Sequence, residues 1–230
     1  MNLPGKQDFI NFHDHGSLPA EGIFSMDNIM IHEGREPSRN EGITYSVGAH
    51  PWFINDDNFE SLLFKVKDFS TNLNVAAIGE TGFDKLKGAR PELQMRAFEM
   101  HAEIAEETGK PLIIHCVKSW DEILQAKKRI NPAVPWIIHG FKGKKDLALQ
   151  LTDKGFYLSM WVEWAIRPVC SETLNAIPID RLFLETDGFD IDIVPVYTVV
   201  ASYLNISVEQ LKKSIYENFM EVFASRNNRK

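Results

Sequence analysis

Cysteine is almost missing from this chain. Only Cys116 and Cys170 are present, with no CxxC spacing. Two lone cysteines give no basis for a disulfide framework and suit a reducing, cytoplasmic interior. Long hydrophobic runs are missing too. The longest nearly uncharged apolar stretch, Ile193 to Leu204, is too short to span a bilayer and contains Pro195. The opening residues, Met1 to Asp8, lack the apolar core of a signal peptide. No membrane association is therefore expected. Positive charge is in deficit, with 25 Lys and Arg against 32 Asp and Glu, a formal net charge of −7. That balance argues against a broad electrostatic grip on a nucleic-acid backbone. A small phosphate pocket beside bound cations stays open, because the ions set the local field. No Pro/Gly/Ser-rich linker, charge block or low-complexity segment divides the sequence. With 230 residues and 44% apolar content, residues 1–230 are expected to form one domain with a full core.

What the chain does have is a set of short apolar runs that each stop on a ligand-type residue. Pro111-Leu112-Ile113-Ile114 ends on His115, and its near-copy Pro135-Trp136-Ile137-Ile138 ends on His139. Such runs are too short for typical helices and read as strands buried on both faces, as in a parallel sheet. Phe9 to Phe12 leads into His13 and His15, Val75 to Gly79 into Glu80, and Leu182 to Leu184 into Glu185 and Asp187. His13 and His15 stand at i and i+2, so an extended segment points both to one face. In a (β/α)8 barrel the C-terminal strand ends form the active face. The fold class expected is α/β, a TIM-like (β/α)8 barrel.

The remaining elements follow from periodicity. Strands are expected at Gly22 to Ile31 and at Thr44 to Gly48, with a loop from His32 to Gly42 and little room for full helices between the first strands. Apolar residues at 59, 62, 63, 66 and 69 form a helical stripe, and Pro91 to Gly109 brackets a second helix. His101 lies within that helix and reads as structural. Trp120 to Ile130 and Leu147 to Thr152 are further helices, and Gly155 to Ser159 is a strand. Trp161 and Trp164 read as rim packing. Ser207 and Gln210 carry a capping-box pattern at the start of the last helix.

His13, His15, Glu80, His115, His139 and Asp187 thus form a candidate metal site. Four imidazoles and two carboxylates suit Zn, Mn or Mg rather than soft thiolate chemistry. Six donors exceed what one hydrolytic ion needs, so two divalent ions bridged by Glu80 are expected, with Asp187 as general base. Glu185 would brace the site. His50, closing the third strand, and Lys142, after His139, are candidate substrate-binding residues. The reaction class that follows is hydrolysis, most plausibly of a phosphoester.

The same residues resemble the TatD-type metal-dependent deoxyribonucleases of the amidohydrolase-like barrel superfamily. The resemblance runs in order through His13-Asp14-His15, Gly48-Ala49-His50-Pro51, Ala77 to Asp84, Gln94 with Phe98, and Pro111 to Cys116. It continues through His139-Gly140-Phe141 with Gly143, Gly155 to Ser159, Leu184 to Asp187, and Glu217-Asn218-Phe219 with Phe223. It implies a TIM-like barrel whose divalent-metal ligands are the six residues above, acting on DNA ends. The chain departs from the family pattern at Asn11, where an aspartate is usual, and at Val117, where an arginine is usual. Lys85 replaces a common aromatic, and the segments between the first two strands and after the eighth are shortened. A small-molecule amide, lactone or phosphomonoester hydrolase on the same site is the alternative, and a non-catalytic binding barrel a third. No protein partner is expected.

Overall fold

The computed structural model describes residues 2–16, 20–38 and 42–224. In chain order the elements begin with β1 (Phe9–Asp14), β2 (Ile23–Met30), β3 (Thr44–Gly48), α1 (Phe59–Phe69) and β4 (Val75–Asp84). Next come α2 (Pro91–Thr108), β5 (Leu112–Val117), α3 (Trp120–Ile130), β6 (Trp136–Phe141) and α4 (Lys145–Asp153). The chain ends with β7 (Phe156–Trp161), the short α5 (Val162–Ala165) and α6 (Ser171–Ala176), β8 (Leu182–Glu185), α7 (Ile193–Leu204) and α8 (Val208–Phe223). The strands follow one another as β1 to β8 in one eight-stranded sheet, the α/β arrangement of a TIM-like (β/α)8 barrel. Between β1 and β3 the only helical element among the described residues is one 3-10 turn, Ile31–Glu33. Residues 17–19 and 39–41 of the expected loops lie outside the described residues. The fold comprises two compact units, Asp27–Ile137 and Leu3–Met26 with the chain from Ile138 on.

In the first unit, α2 shows how the sequence writes a helix. Pro91 stands at its first position, where a missing N–H costs nothing, and Gly109 ends it at φ +67. Its buried face carries Leu93, Ala97, Phe98, Ala102, Ile104 and Ala105. Phe98 packs against Phe83 and Trp136 at 4.9 and 5.2 Å between ring centroids. Burying a ring of that size stabilises by about 1.5–3 kcal/mol, and Phe98→Ala would cost about 3–5 kcal/mol with its cavity.

Strand β4 runs four residues beyond the expected end at Glu80. Its pairing with parallel β5 slips between Ile78↔Leu112 and Thr81↔Ile114, three steps on β4 against two on β5. An extra residue of this kind re-aims a side chain, here in the Gly79–Glu80 step. Gly79 and Gly82 have φ of +125 and +150, and a Cβ at either would meet the β5 backbone at Ile113 or His115. Only glycine allows this close approach.

In the second unit β7 pairs with β8 in parallel, and β1 lies beside β8 through the Asp187 N–H to His13 carbonyl hydrogen bond of 3.0 Å. Phe12 stacks on Phe183 at 4.5 Å, and Phe219 on Phe223 at 4.3 Å. The stretch noted only as too short for a bilayer is helix α7, whose buried residues 193, 196, 197, 200 and 201 keep helical spacing. Asp192 caps it by accepting the Val194 amide at 2.9 Å, and Pro195 falls in the first turn, where no N–H is needed. Among the described residues no helix is long and apolar enough to cross a membrane. Ser207 and Gln210 form the expected capping box of α8.

Candidate metal centre

One donor group is built in the Asp27–Ile137 unit around Glu80, which is 3% exposed. Its Oε1 lies 2.9 Å from His115 Nδ1 and 3.1 Å from His50 Nε2. Donor atoms of His50, Glu80 and His115 all fall within 4.8 Å of one another. Asn28, buried in β2, fixes Glu80 by accepting its amide N–H at Oδ1 (3.2 Å) and donating from Nδ2 to Oε2 (3.4 Å). His50, the candidate substrate-binding residue that closes the third strand, is buried against Glu80. Its Nδ1 accepts the Trp52 amide at 3.2 Å, so the hydrogen-bond network assigns the proton to Nε2, which donates to Glu80. His50 thereby steadies the carboxylate.

Asp84 holds the other side of His115, with Oδ2 3.4 Å from Nε2. The same oxygen accepts Trp52 Nε1 at 2.7 Å, while Oδ1 accepts the Leu86 amide at 2.7 Å. Burial pushes the Asp84 carboxyl upward, but the hydrogen bonds from Trp52, Leu86 and His115 more than offset it and hold it below the usual range. A carboxylate behind a ligating imidazole fixes its tautomer and orientation. Below the site, buried His101 accepts the Ala49 amide at Nε2 (2.9 Å) and donates from Nδ1 to the Ala97 carbonyl (2.7 Å). It is structural, as the sequence suggested, and it anchors the residue before His50. Burial lowers its pKa to about 4.

The other donor group belongs to the second unit. Asp187 Oδ1 stands 3.6 Å from His13 Nε2 and 3.5 Å from His15 Nε2. Two donors about 2.1 Å from one ion at a tetrahedral angle stand about 3.4 Å apart, so this trio matches the geometry of a shared cation. Asp187 adopts φ +55, and Asn11 braces the turn before it. Asn11 Nδ2 donates to Thr186 Oγ1 at 2.7 Å and its Oδ1 accepts the Thr186 amide at 2.9 Å. The His139 ring lies 4.4 Å from that of His13. Behind it is fully buried Glu185, 3.4 Å from His139 Nδ1 and accepting the Gly140 amide. Glu185 thus stands beside the His139 ring and holds the Gly140 amide. Lys142 stands over the Trp161 ring at 3.4 Å, and burial lowers its pKa against the opposing pull of Asp187 and Glu185.

Hard and borderline N/O donors of this kind suit divalent cations such as zinc, manganese or magnesium. Sequence reasoning missed Asn28 and the bracing role of Asp84. A polar residue inside the apolar run Ile23 to Ile31 was the available signal for Asn28.

Comparison with known proteins agrees with this donor chemistry. The family model of TatD related DNase matches residues 30–224. An uncharacterized metal-dependent hydrolase of Buchnera aphidicola subsp. Baizongia pistaciae is 29% identical over 201 residues, 80% of this chain and 75% of that protein. The uncharacterized metal-dependent hydrolase YcfH of Escherichia coli K12 is 27% identical over 205 residues, 80% of this chain and 74% of its own. Among solved structures, a hydrolase TatD family protein from Entamoeba histolytica superposes with a TM-score of 0.76 at 17% identity, covering 97% of this chain and 99% of that one. The TatD homolog YJJV of Escherichia coli gives 0.76 at 18% identity over 95% and 99%. The likeness to those two structures shows the shared fold, and the match along residues 30–224 shows that the chain belongs to the TatD family of metal-dependent hydrolases.

Proposed function

We propose that the protein is a divalent-metal-dependent phosphoesterase that releases nucleotides from DNA ends. The observation that carries this reading is the pair of His/carboxylate donor groups, one in each unit, within a chain of the TatD family. In the one unit Glu80 and His115, and in the other His13, His15, His139 and Asp187, would supply the ligands for divalent ions. Two such ions, when bound, lower the pKa of an attacking water and stabilise charge on the attacking and leaving oxygens. Asp187 would accept a proton from the attacking water as general base. His50 and Asn28 keep Glu80 in place, Asp84 stands behind His115, and Glu185 lies beside His139. Lys142 meets a phosphate oxygen. The two lone cysteines suit a cytoplasmic site of action.

A second reading, hydrolysis of a small phosphomonoester, amide or lactone, is favoured by the net charge of −7 and by Val117 where the family resemblance leads to an arginine. End-labelled single-stranded DNA incubated with metal-reconstituted protein separates the two. Loss of label that requires both metal and His115 is the expected result. Intact DNA alongside cleavage of small esters would move the assignment to the second reading, and undiminished DNA cleavage by His115→Ala would remove the mechanism.

A further inference from the structure

Outside the donor groups, the Asp27–Ile137 unit holds an open cleft of about 690 Å³ lined by His32, Trp52, Phe53, Asp56, Arg90 and Leu93, among others. Its volume falls in the range of small-ligand sites, about 300–1,000 Å³. Trp52 and Phe53 are each 37% exposed, an unusual cost for two adjacent large rings. His32, which opens the expected loop to Gly42, stacks on Phe53 with ring centroids 3.5 Å apart and only 15° between planes.

The cleft is preformed. Its two walls, the chain after His50 and the chain after Leu86, are tied by the Ala89 amide to the Pro51 carbonyl at 3.0 Å. Gly88, at φ +104, lets them meet, since a Cβ there would strike the Pro51 carbonyl at 2.5 Å. Trp52 is held by its 2.7 Å hydrogen bond to Asp84, the carboxylate that also faces His115. Its ring lies edge-on to His50 and His115, at 4.8 and 5.7 Å. The aromatic wall therefore begins beside the first donor group. One cation lines it, Arg90, and a second, Lys87, lies against the Trp52 ring. Lys87 Nζ sits 3.7 Å from the Trp52 ring centroid, and Arg90 lines the cleft with its guanidinium paired to Asp56.

We propose that this cleft is a stacking subsite for a nucleobase of the substrate, with Trp52 and Phe53 as the platform and Lys87 as the contact for an adjoining phosphate. This rests on the phosphoesterase reading above. Planar rings beside a cation complement a base joined to a phosphate, and stacking tolerates any base because each presents a π-face. A preordered platform also spares the entropy of assembling one on binding.

The test compares 2′-deoxyadenosine 5′-monophosphate with 2-deoxyribose 5-phosphate, which carries the same phosphate without a base, in calorimetric and tryptophan-fluorescence titrations of the zinc-reconstituted full-length protein. The nucleotide is expected to bind about tenfold or more tightly than the sugar phosphate and to quench fluorescence. Trp52→Leu and Phe53→Leu should bring that ratio close to one. Trp52→Phe, which keeps a ring, should retain the ratio while losing most of the quench, and serves if the leucine variants misfold. Equal affinities in the wild type, no binding of either ligand, or an unchanged ratio in folded Trp52→Leu and Phe53→Leu would overturn the subsite. DNA hydrolysis with equal affinities would leave the hydrolase reading standing alone. Base-selective binding without hydrolysis of DNA would support the subsite and refute the nuclease.

Discussion

Single buried polar residues do much of the positioning in this chain, and they are the part least visible in its sequence. The strand-end histidines were legible because each closes an apolar run. Their supports were not, since Asn28 meets Glu80, and His101 meets Ala49, across 52 positions of chain in each case. No local period encodes such a pair. Tyr197 is a further example, its hydroxyl donating to the Ile10 carbonyl at 2.9 Å and accepting the Ile10 amide at 3.1 Å. Tyr197→Phe strands both backbone groups in the interior, so urea unfolding should show a loss of about 2 kcal/mol with unchanged slope. His101 sets a pH dependence. Its folded pKa of about 4 lies below the ordinary 6.5, so between those values the unfolded chain binds the extra proton. The stabilisation it provides is complete above pH 6.5, falls as pH drops through the window, and is gone below about 4, a change on the order of 3 kcal/mol. Subtracting the profile of His101→Gln from that of the wild type should isolate this slope, and parallel profiles would contradict it.

At the scale of elements, helices with clear stripes or caps were readable almost to the residue. Helices α1 and α3 begin and end where their apolar spacing implies, and α2 is bracketed by Pro91 and Gly109. Helix α7 was not recognised because a mostly apolar stretch shows little contrast between its faces, and Pro195 looks like a breaker until Asp192 is seen to cap it. Strand β4 was cut short at Glu80 because glycine ordinarily weakens a strand, whereas here Gly79 and Gly82 permit the contact with β5. Gly82→Ala should therefore cost about 3 kcal/mol or more and weaken metal binding. Gly109→Ala, with nothing within 4 Å of the added Cβ, should cost about 1 kcal/mol through its left-handed backbone alone. Thermal melts of the two variants give the comparison, and equal losses would contradict the close-approach reading of β4.

For the molecule as a whole, the sequence carried the fold class, because short apolar runs that stop on ligand-type residues repeat along the chain. Substrate identity was less legible, since the walls of a cleft such as that at Trp52 come from two separate loops with no shared pattern. The central claim is that the two donor groups are sites for divalent ions. Ligation in the folded state alone should stabilise the protein, by about 2.7 kcal/mol at free metal one hundred times the dissociation constant, and a chelator should reverse it. The most direct measurement is the zinc-to-protein ratio after reconstitution and removal of free metal, for wild type, His15→Ala and His115→Ala. Two ions in the wild type and about one in each folded variant is the expected result. A wild type that retains none, or variants that each keep both, would contradict it.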